Sequence, residues 1–169
     1  MSTFESFQDL KILSDDEGEA PDGRAIQSGP IYLVGLLVFP NGGKPKYSFT
    51  NLKGGCHSRD KHNKDHFNPV DEKGNKGPKS YRIQFMIFQT KGSTWKLETP
   101  EPVKFIDTAT KSFYCAKVDD DTSFTLTINE NSTLPANPYH SFNIYLMETQ
   151  PGGGAMRRRI DPIIDNPPK

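Results

Sequence analysis

Hydrophobic and polar side chains alternate along several short segments of the chain. The clearest is 122–129, where Phe124, Leu126 and Ile128 alternate with threonine and asparagine. A period of two is typical of a β-strand that has one face in the core and the other in water. We therefore predict a half-buried strand here, with Thr125 on the wet face.

Other segments carry the same signal with different strength. Residues 81–88 alternate at first and then become apolar on both sides, which predicts a central strand. Residues 31–39 form an apolar run that is too short for a typical helix and ends in a turn sequence, which predicts a buried strand. Residues 142–147 alternate again. Weaker patterns predict strands at 46–52, 93–98, 103–106, 111–118 and 155–160.

This series of short strands predicts the fold class. Turn-forming sequences rich in Gly, Pro and Asp separate the segments, and no convincing helix lies between them. About eight such strands favour an all-β domain, an antiparallel two-sheet β-sandwich of the immunoglobulin-like kind. We expect one domain over residues 29–169, with a long polar loop at 53–79 that lacks periodicity.

Residues 1–28 differ from the rest and predict a short N-terminal arm. The segment is acidic, and its apolar residues Phe4, Phe7, Leu10 and Leu13 recur at helical spacing. An isolated helix this short is marginal in water, so it must pack against its own domain or a neighbour to become ordered. We expect these four residues to be interaction residues that contribute to subunit contact.

The polar loop holds the best candidate metal site. Cys56, His57, His62 and His66 are zinc-ligand types that lie within eleven residues. Their spacing fits no established zinc module, since Cys56 and His57 are adjacent. The alternative is a solvated loop whose histidines titrate near neutral pH, and it is favoured.

Charged and glycine-rich segments suggest further sites, each with a structural alternative. Asp119 and Asp121 offer oxygen ligands for calcium, but consecutive acidic residues before a strand commonly form a turn. Residues 152–154 are three glycines that predict a hairpin loop. In a strand, Arg157 and Arg159 share one face, where they either bind an anion or guard a solvated edge.

Composition excludes several functional classes. Lys plus Arg equals Asp plus Glu at 21 each, so the net charge of zero predicts no nucleic-acid partner and favours self-association. The sequence contains no secretory signal, membrane span or catalytic signature, so we expect a cytoplasmic protein without a cofactor and with reduced cysteines.

The C-terminal third resembles a known family. The stretch 142–146, a glycine-rich turn and the stretch 159–168, with its Asp161-Pro162 pair, are similar to the end of small bacterial β-sandwich proteins of the DP-EP type. They are more loosely similar to the AidA and PixA inclusion-body family. The resemblance implies a non-enzymatic sandwich. Independently, Pro162 removes an amide donor and predicts that the sheet ladder ends there.

These observations favour a non-catalytic β-sandwich that acts by self-assembly or by binding another protein. One alternative is a ligand-binding module for carbohydrate or a divalent cation, which would use the loop tips at one end of the sandwich. A second alternative is an enzyme of unrecognised class, which would need convergent polar groups in a pocket.

Overall fold

A computed structural model describes residues 30–39, 46–70, 73, 80–106, 114–128 and 139–165. In this part of the chain all regular structure is strand, which confirms the predicted all-β class. It contains no helix of the length and hydrophobicity that crossing a membrane requires. The arm of residues 1–28, with Phe4, Phe7, Leu10 and Leu13, lies outside the described residues, so its role stays a prediction.

The described residues form twelve strands. They are β1 (Ile31–Phe39), β2 (Lys46–Lys53), β3 (Gly55–Arg59), β4 (Asp65–Val70), β5 (Tyr81–Phe88), β6 (Thr94–Leu97), β7 (Val103–Phe105), β8 (Tyr114–Asp120), β9 (Ser123–Ile128), β10 (Tyr139–Thr149), β11 (Ala155–Ile160) and β12 (Ile163–Asp165).

Two sheets enclose the core. The first has the order β2-β1-β5-β9-β8, and the second has the order β11-β10-β12-β4-β3, with β6 and β7 also paired to β10. One of the sheets curls into a half-barrel. The prediction of purely antiparallel sheets is wrong, because β1 pairs in parallel with β5 and β12 pairs in parallel with β4. A parallel pair needs a long connection, and the excursion through β2, β3 and β4 provides it between β1 and β5.

The predicted loop at 53–79 is wrong for residues 55–59 and 65–70, which form β3 and β4. Burial alternates along β4, as in any half-buried strand. However, its buried positions are Asp65, Phe67 and Pro69, of which only Phe67 carries a strong hydrophobic signal. The hydropathy pattern therefore does not predict β4, because the inner face of this strand contains a charged residue.

Central strands are buried on both faces. All eight residues of β5 are buried, which confirms its predicted central place. All six residues of β9 are buried too, so the prediction that Thr125 faces water is wrong. The Thr125 hydroxyl donates to Asp119 Oδ2 at 2.7 Å, and this bond satisfies the hydroxyl away from water.

The predicted end of the ladder at Asp161-Pro162 is also wrong. Ile160 pairs with Ile144 and Ile164 pairs with His140, so β11 and β12 keep one register along β10. Between them, the Pro162 carbonyl accepts from the Phe142 amide at 3.1 Å. Proline removes a donor but keeps its acceptor, so the ladder loses one bond and continues.

Replacing Leu126 by Ala should destabilise the fold by about 2–5 kcal/mol, because the side chain is fully buried and its loss leaves a cavity. The control Ile106→Ala alters a side chain that is 62% exposed and should change stability by less than about 1 kcal/mol. Chemical denaturation measures both. Similar losses for the two variants would contradict this assignment of the core.

Candidate functional site

The strongest concentration of polar chemistry lies on the hairpin of residues 55–70, which we call the histidine hairpin. His57 pairs with Phe67 and Arg59 pairs with Asp65 across its ladder, so these four side chains share the face toward the core. His66 faces the opposite way, across from Ser58. The hairpin thus presents one histidine on each face.

On the inner face, a buried carboxylate holds two basic groups. His57 Nε2 lies 2.7 Å from Asp65 Oδ1, and Arg59 Nε donates to the same oxygen at 3.1 Å. The ring of Phe67 lies 5.4 Å from that of His57. Burial alone raises the pKa of Asp65, but the hydrogen bonds and charges of His57 and Arg59 outweigh it and hold this pKa below its ordinary value.

Asn51 of β2 fixes the backbone that carries His57. Its Oδ1 accepts from the amides of Cys56 and His57 at 3.2 and 2.9 Å, and its Nδ2 donates to the His57 carbonyl at 3.1 Å. These bonds span the irregular register between Gly55 and His57. One amide side chain therefore substitutes for ladder bonds at the corner between the two sheets.

On the outer face, His66 bridges two carboxylates. Its Nδ1 lies 2.8 Å from Asp165 Oδ1 and its Nε2 lies 3.0 Å from Asp60 Oδ2. The Tyr139 ring meets it edge-on, with centroids 5.6 Å apart. Each ring nitrogen of His66 therefore has its own carboxylate partner.

These surroundings lower the pKa of Asp60 and raise the pKa of Asp165. Amides of Lys64 and His62 donate to Asp60 Oδ1, and these bonds, with the His66 contact, hold the pKa of Asp60 below its ordinary value. Burial raises the pKa of Asp165, and the hydrogen bond from His66 only partly opposes this. Asp60 also shapes the turn, in which Asn63 adopts the left-handed backbone that asparagine tolerates.

Tyr47 of β2 interacts with Asp65 of the histidine hairpin and with Asp161, which lies between β11 and β12. Burial, with the negative charges of Asp65 and Asp161, raises the pKa of Tyr47 to about 12. Its hydroxyl makes a hydrogen bond with the Asp161 side chain. Asp161 therefore ties β2 to the junction of β11 and β12.

The structure does not bring the four predicted zinc ligands together. Cys56 is buried in the core, and burial raises the pKa of its thiol, which disfavours the thiolate that zinc needs. His57 and His66 lie on opposite faces, and His62 is exposed in the turn. Among the described residues, no three His, Cys, Asp or Glu side chains are grouped to hold a metal ion.

Asp119 and Asp121 likewise point to separate partners. Asp119 accepts from Thr125, and Asp121 lies 3.6 Å from Lys96 Nζ. Asp120 between them accepts from the Thr122 amide and hydroxyl, at 2.8 and 3.2 Å. This is the geometry of an acidic turn, the alternative that the sequence leaves open.

The glycines and arginines near the C-terminal hairpin lie as predicted. Gly152 and Gly153 take positive φ angles of 100° and 94° in the loop between β10 and β11. Arg157 and Arg159 share the outer face of β11, whereas Arg158 turns inward and lies 3.5 Å from buried Glu148.

Sequence reasoning misses the acidic half of the histidine hairpin. Asp60, Asp65 and Asp165 each contact a histidine, and none is singled out by motif or spacing. Only the alternation of Asp65 with Phe67 in one strand offers a signal. The Asp165 contact depends on the parallel pairing of β12 with β4, which no local pattern specifies.

Asp65→Asn should lower stability at neutral pH by about 1–3 kcal/mol, because His57 and Arg59 lose a buried ionised acceptor. The folded pKa of Asp65 is depressed, so its contribution is present above the ordinary pKa of 3.8 and is lost as the pH falls. In thermal melts from pH 7 to pH 3, the difference in melting temperature between the variant and the wild type should therefore disappear below about pH 4. Asp121→Asn, at an exposed ion pair, serves as the control. A gap that stays constant in acid would contradict the assignment.

His66→Ala should destabilise the protein more than His62→Ala. The first leaves the buried Asp165 carboxylate without its hydrogen-bond donor, at a cost of about 1–3 kcal/mol. The second removes an exposed ring whose residue contacts Asp60 only through its backbone amide. Denaturant titration at pH 6 compares the two, and equal effects would show that the bridge contributes nothing.

Neither the family models nor the curated proteins searched include a match to the chain.

Proposed function

We propose that this protein is a non-catalytic β-sandwich that acts by self-association, with strand β8 as the contact. The observation that supports it most is the exposed apolar edge of the first sheet. Ala116 and Val118 face the same side as their ladder partners Leu126 and Phe124. The partners are fully buried, yet Ala116 and Val118 are exposed.

The edge of β8 is open among the described residues. It pairs with β9 on one side, and no other described strand pairs with it. Natural proteins guard such edges with charge, and β11, at the edge of the second sheet, carries three consecutive arginines. β8 carries Lys117, Asp119 and Asp120, but three of its four residues from 115 to 118 are uncharged. An open strand with an apolar face is a ready template for strand addition.

An antiparallel pair of β8 strands can be centred on Val118. The two valines then meet on the apolar face. A two-fold contact of this kind gives a closed dimer. Because the net charge of the chain is zero, the two copies do not repel each other overall.

Three expectations from the sequence belong to the same proposal. They are an immunoglobulin-like arrangement of the two sheets, a cytoplasmic location and a relationship to the DP-EP type of bacterial sandwich. The occupied nitrogens of His66 agree with a non-catalytic role, since a general base needs one free.

Val118→Lys tests the β8 contact. It places two like charges against each other at the centre of the pair, so association should weaken by at least about 10-fold, or ~1.4 kcal/mol. Met156→Lys, at a 44% exposed position on the β11 edge, is the matched control and should leave association unchanged. Sedimentation velocity over a concentration series measures both. A monomeric wild type, or equal weakening by the two variants, would overturn the proposal.

A further inference from the structure

The outer face of the second sheet carries a basic patch around Tyr145. Arg159 is the ladder partner of Tyr145, while Lys96 and Arg157 flank the next outward residue, Met147. Lys104 flanks Asn143 on the other side. Each of the four cations is exposed. We call Lys96, Lys104, Arg157 and Arg159 the basic face.

In the part of the chain that the structure describes, two of these cations have carboxylate partners and two do not. Arg157 Nε donates to Glu98 Oε2, and Lys96 lies near Asp121. Among the described residues, neither Lys104 nor Arg159 forms an ion pair. The basic face therefore has a surplus of two positive charges on a chain whose net charge is zero.

The Tyr145 ring contacts two of the four cations. The Arg157 guanidinium lies over Tyr145 at 4.1 Å from the ring centroid, and Lys104 Nζ lies 5.7 Å from it. Asn143 Nδ2 donates to the Tyr145 hydroxyl at 3.3 Å. Long basic side chains that rest on a ring lose less freedom when they bind an anion.

We infer that the basic face binds a run of closely spaced carboxylates in another polypeptide, namely residues 15–22 of a second copy of this chain. That run holds five carboxylates and no cation. Residues 15–22 lie outside the described residues, and their dense negative charge in the sequence is what supports this choice of partner. This contact rests on the proposed self-association but uses a different surface from β8.

Nucleic acid fits the same face less well. A nucleic-acid site needs cations with few acidic neighbours and a ring free to stack on bases. Here Glu98 and Asp121 lie among the cations, and Arg157 already covers the Tyr145 ring. A short acidic peptide can bind Lys104 and Arg159 without displacing these contacts.

The test is peptide binding to the full chain. A fluorescent peptide of residues 14–23 is titrated against a full-length protein whose own run is neutralised by D15N, D16N, E17Q, E19Q and D22N. A peptide with the same five amide changes is the control ligand. Fluorescence anisotropy at low and moderate NaCl measures Kd.

We expect the acidic peptide to bind more tightly than the amide peptide and to weaken with salt, since exposed charges are screened. Adding K104Q and R159Q should raise Kd by about 10-fold. Adding K61Q and K64Q, which remove two exposed cations from the hairpin turn, should leave Kd unchanged. Equal Kd for these two proteins, or displacement of the peptide by a single-stranded oligonucleotide but not by poly-glutamate, would overturn the inference.

A mixing experiment tests whether the run belongs to a second copy. In a Val118→Lys background, which weakens the β8 contact, a chain with K104E and R159E and a chain with D15K, D16K and E17K should each associate only weakly, and a mixture of the two should associate. A mixture that stays unassociated would overturn the second-copy assignment. The peptide titration is independent of β8, so it can succeed where the Val118→Lys test fails, and the reverse also holds.

Discussion

Phe85 joins the two sheets, and the rest of the core is arranged around its ring. Its centroid lies 4.7 Å from that of Phe124 and 6.2 Å from that of Phe49 within its own sheet. Across the core it lies 5.0 Å from Phe67 and 6.5 Å from Phe142. Aromatic pairs at such distances contribute energy beyond their buried area. A chain with few apolar residues can therefore keep a continuous core.

Through Phe67, this aromatic cluster fixes the position of the histidine hairpin. The ring anchors the strand that contains it, so Asp65 is held at the border of the core, where His57 and Arg59 must neutralise it. The outer face of the same strand then presents His66 to Asp60 and Asp165. The polar network is thus a consequence of where one phenylalanine packs.

Local patterns predict the strands well and their pairing poorly. The sequence predicts the strands β1, β5 and β9 because the residues on their core-facing side are apolar. The sequence does not predict β3 and β4, because their buried positions include Cys56, Asp65 and Pro69. It does not predict β12 either, because Pro162 indicates the end of the ladder, although only one ladder bond is lost there. The parallel pairs and the carboxylate partners of the histidines depend on contacts between distant segments, which alternation along the chain does not encode.

The broken strand formed by β11 and β12 also bears on how the chain folds. Asp165 meets His66 across 99 residues of sequence, and β12 is the strand that joins β4 to the rest of its sheet. Closing a loop of that size loses chain entropy before any contact forms to compensate. The histidine hairpin can form early from local bonds, but its docking onto β12 must wait for this closure. Folding should therefore be slow, with the second sheet completed last.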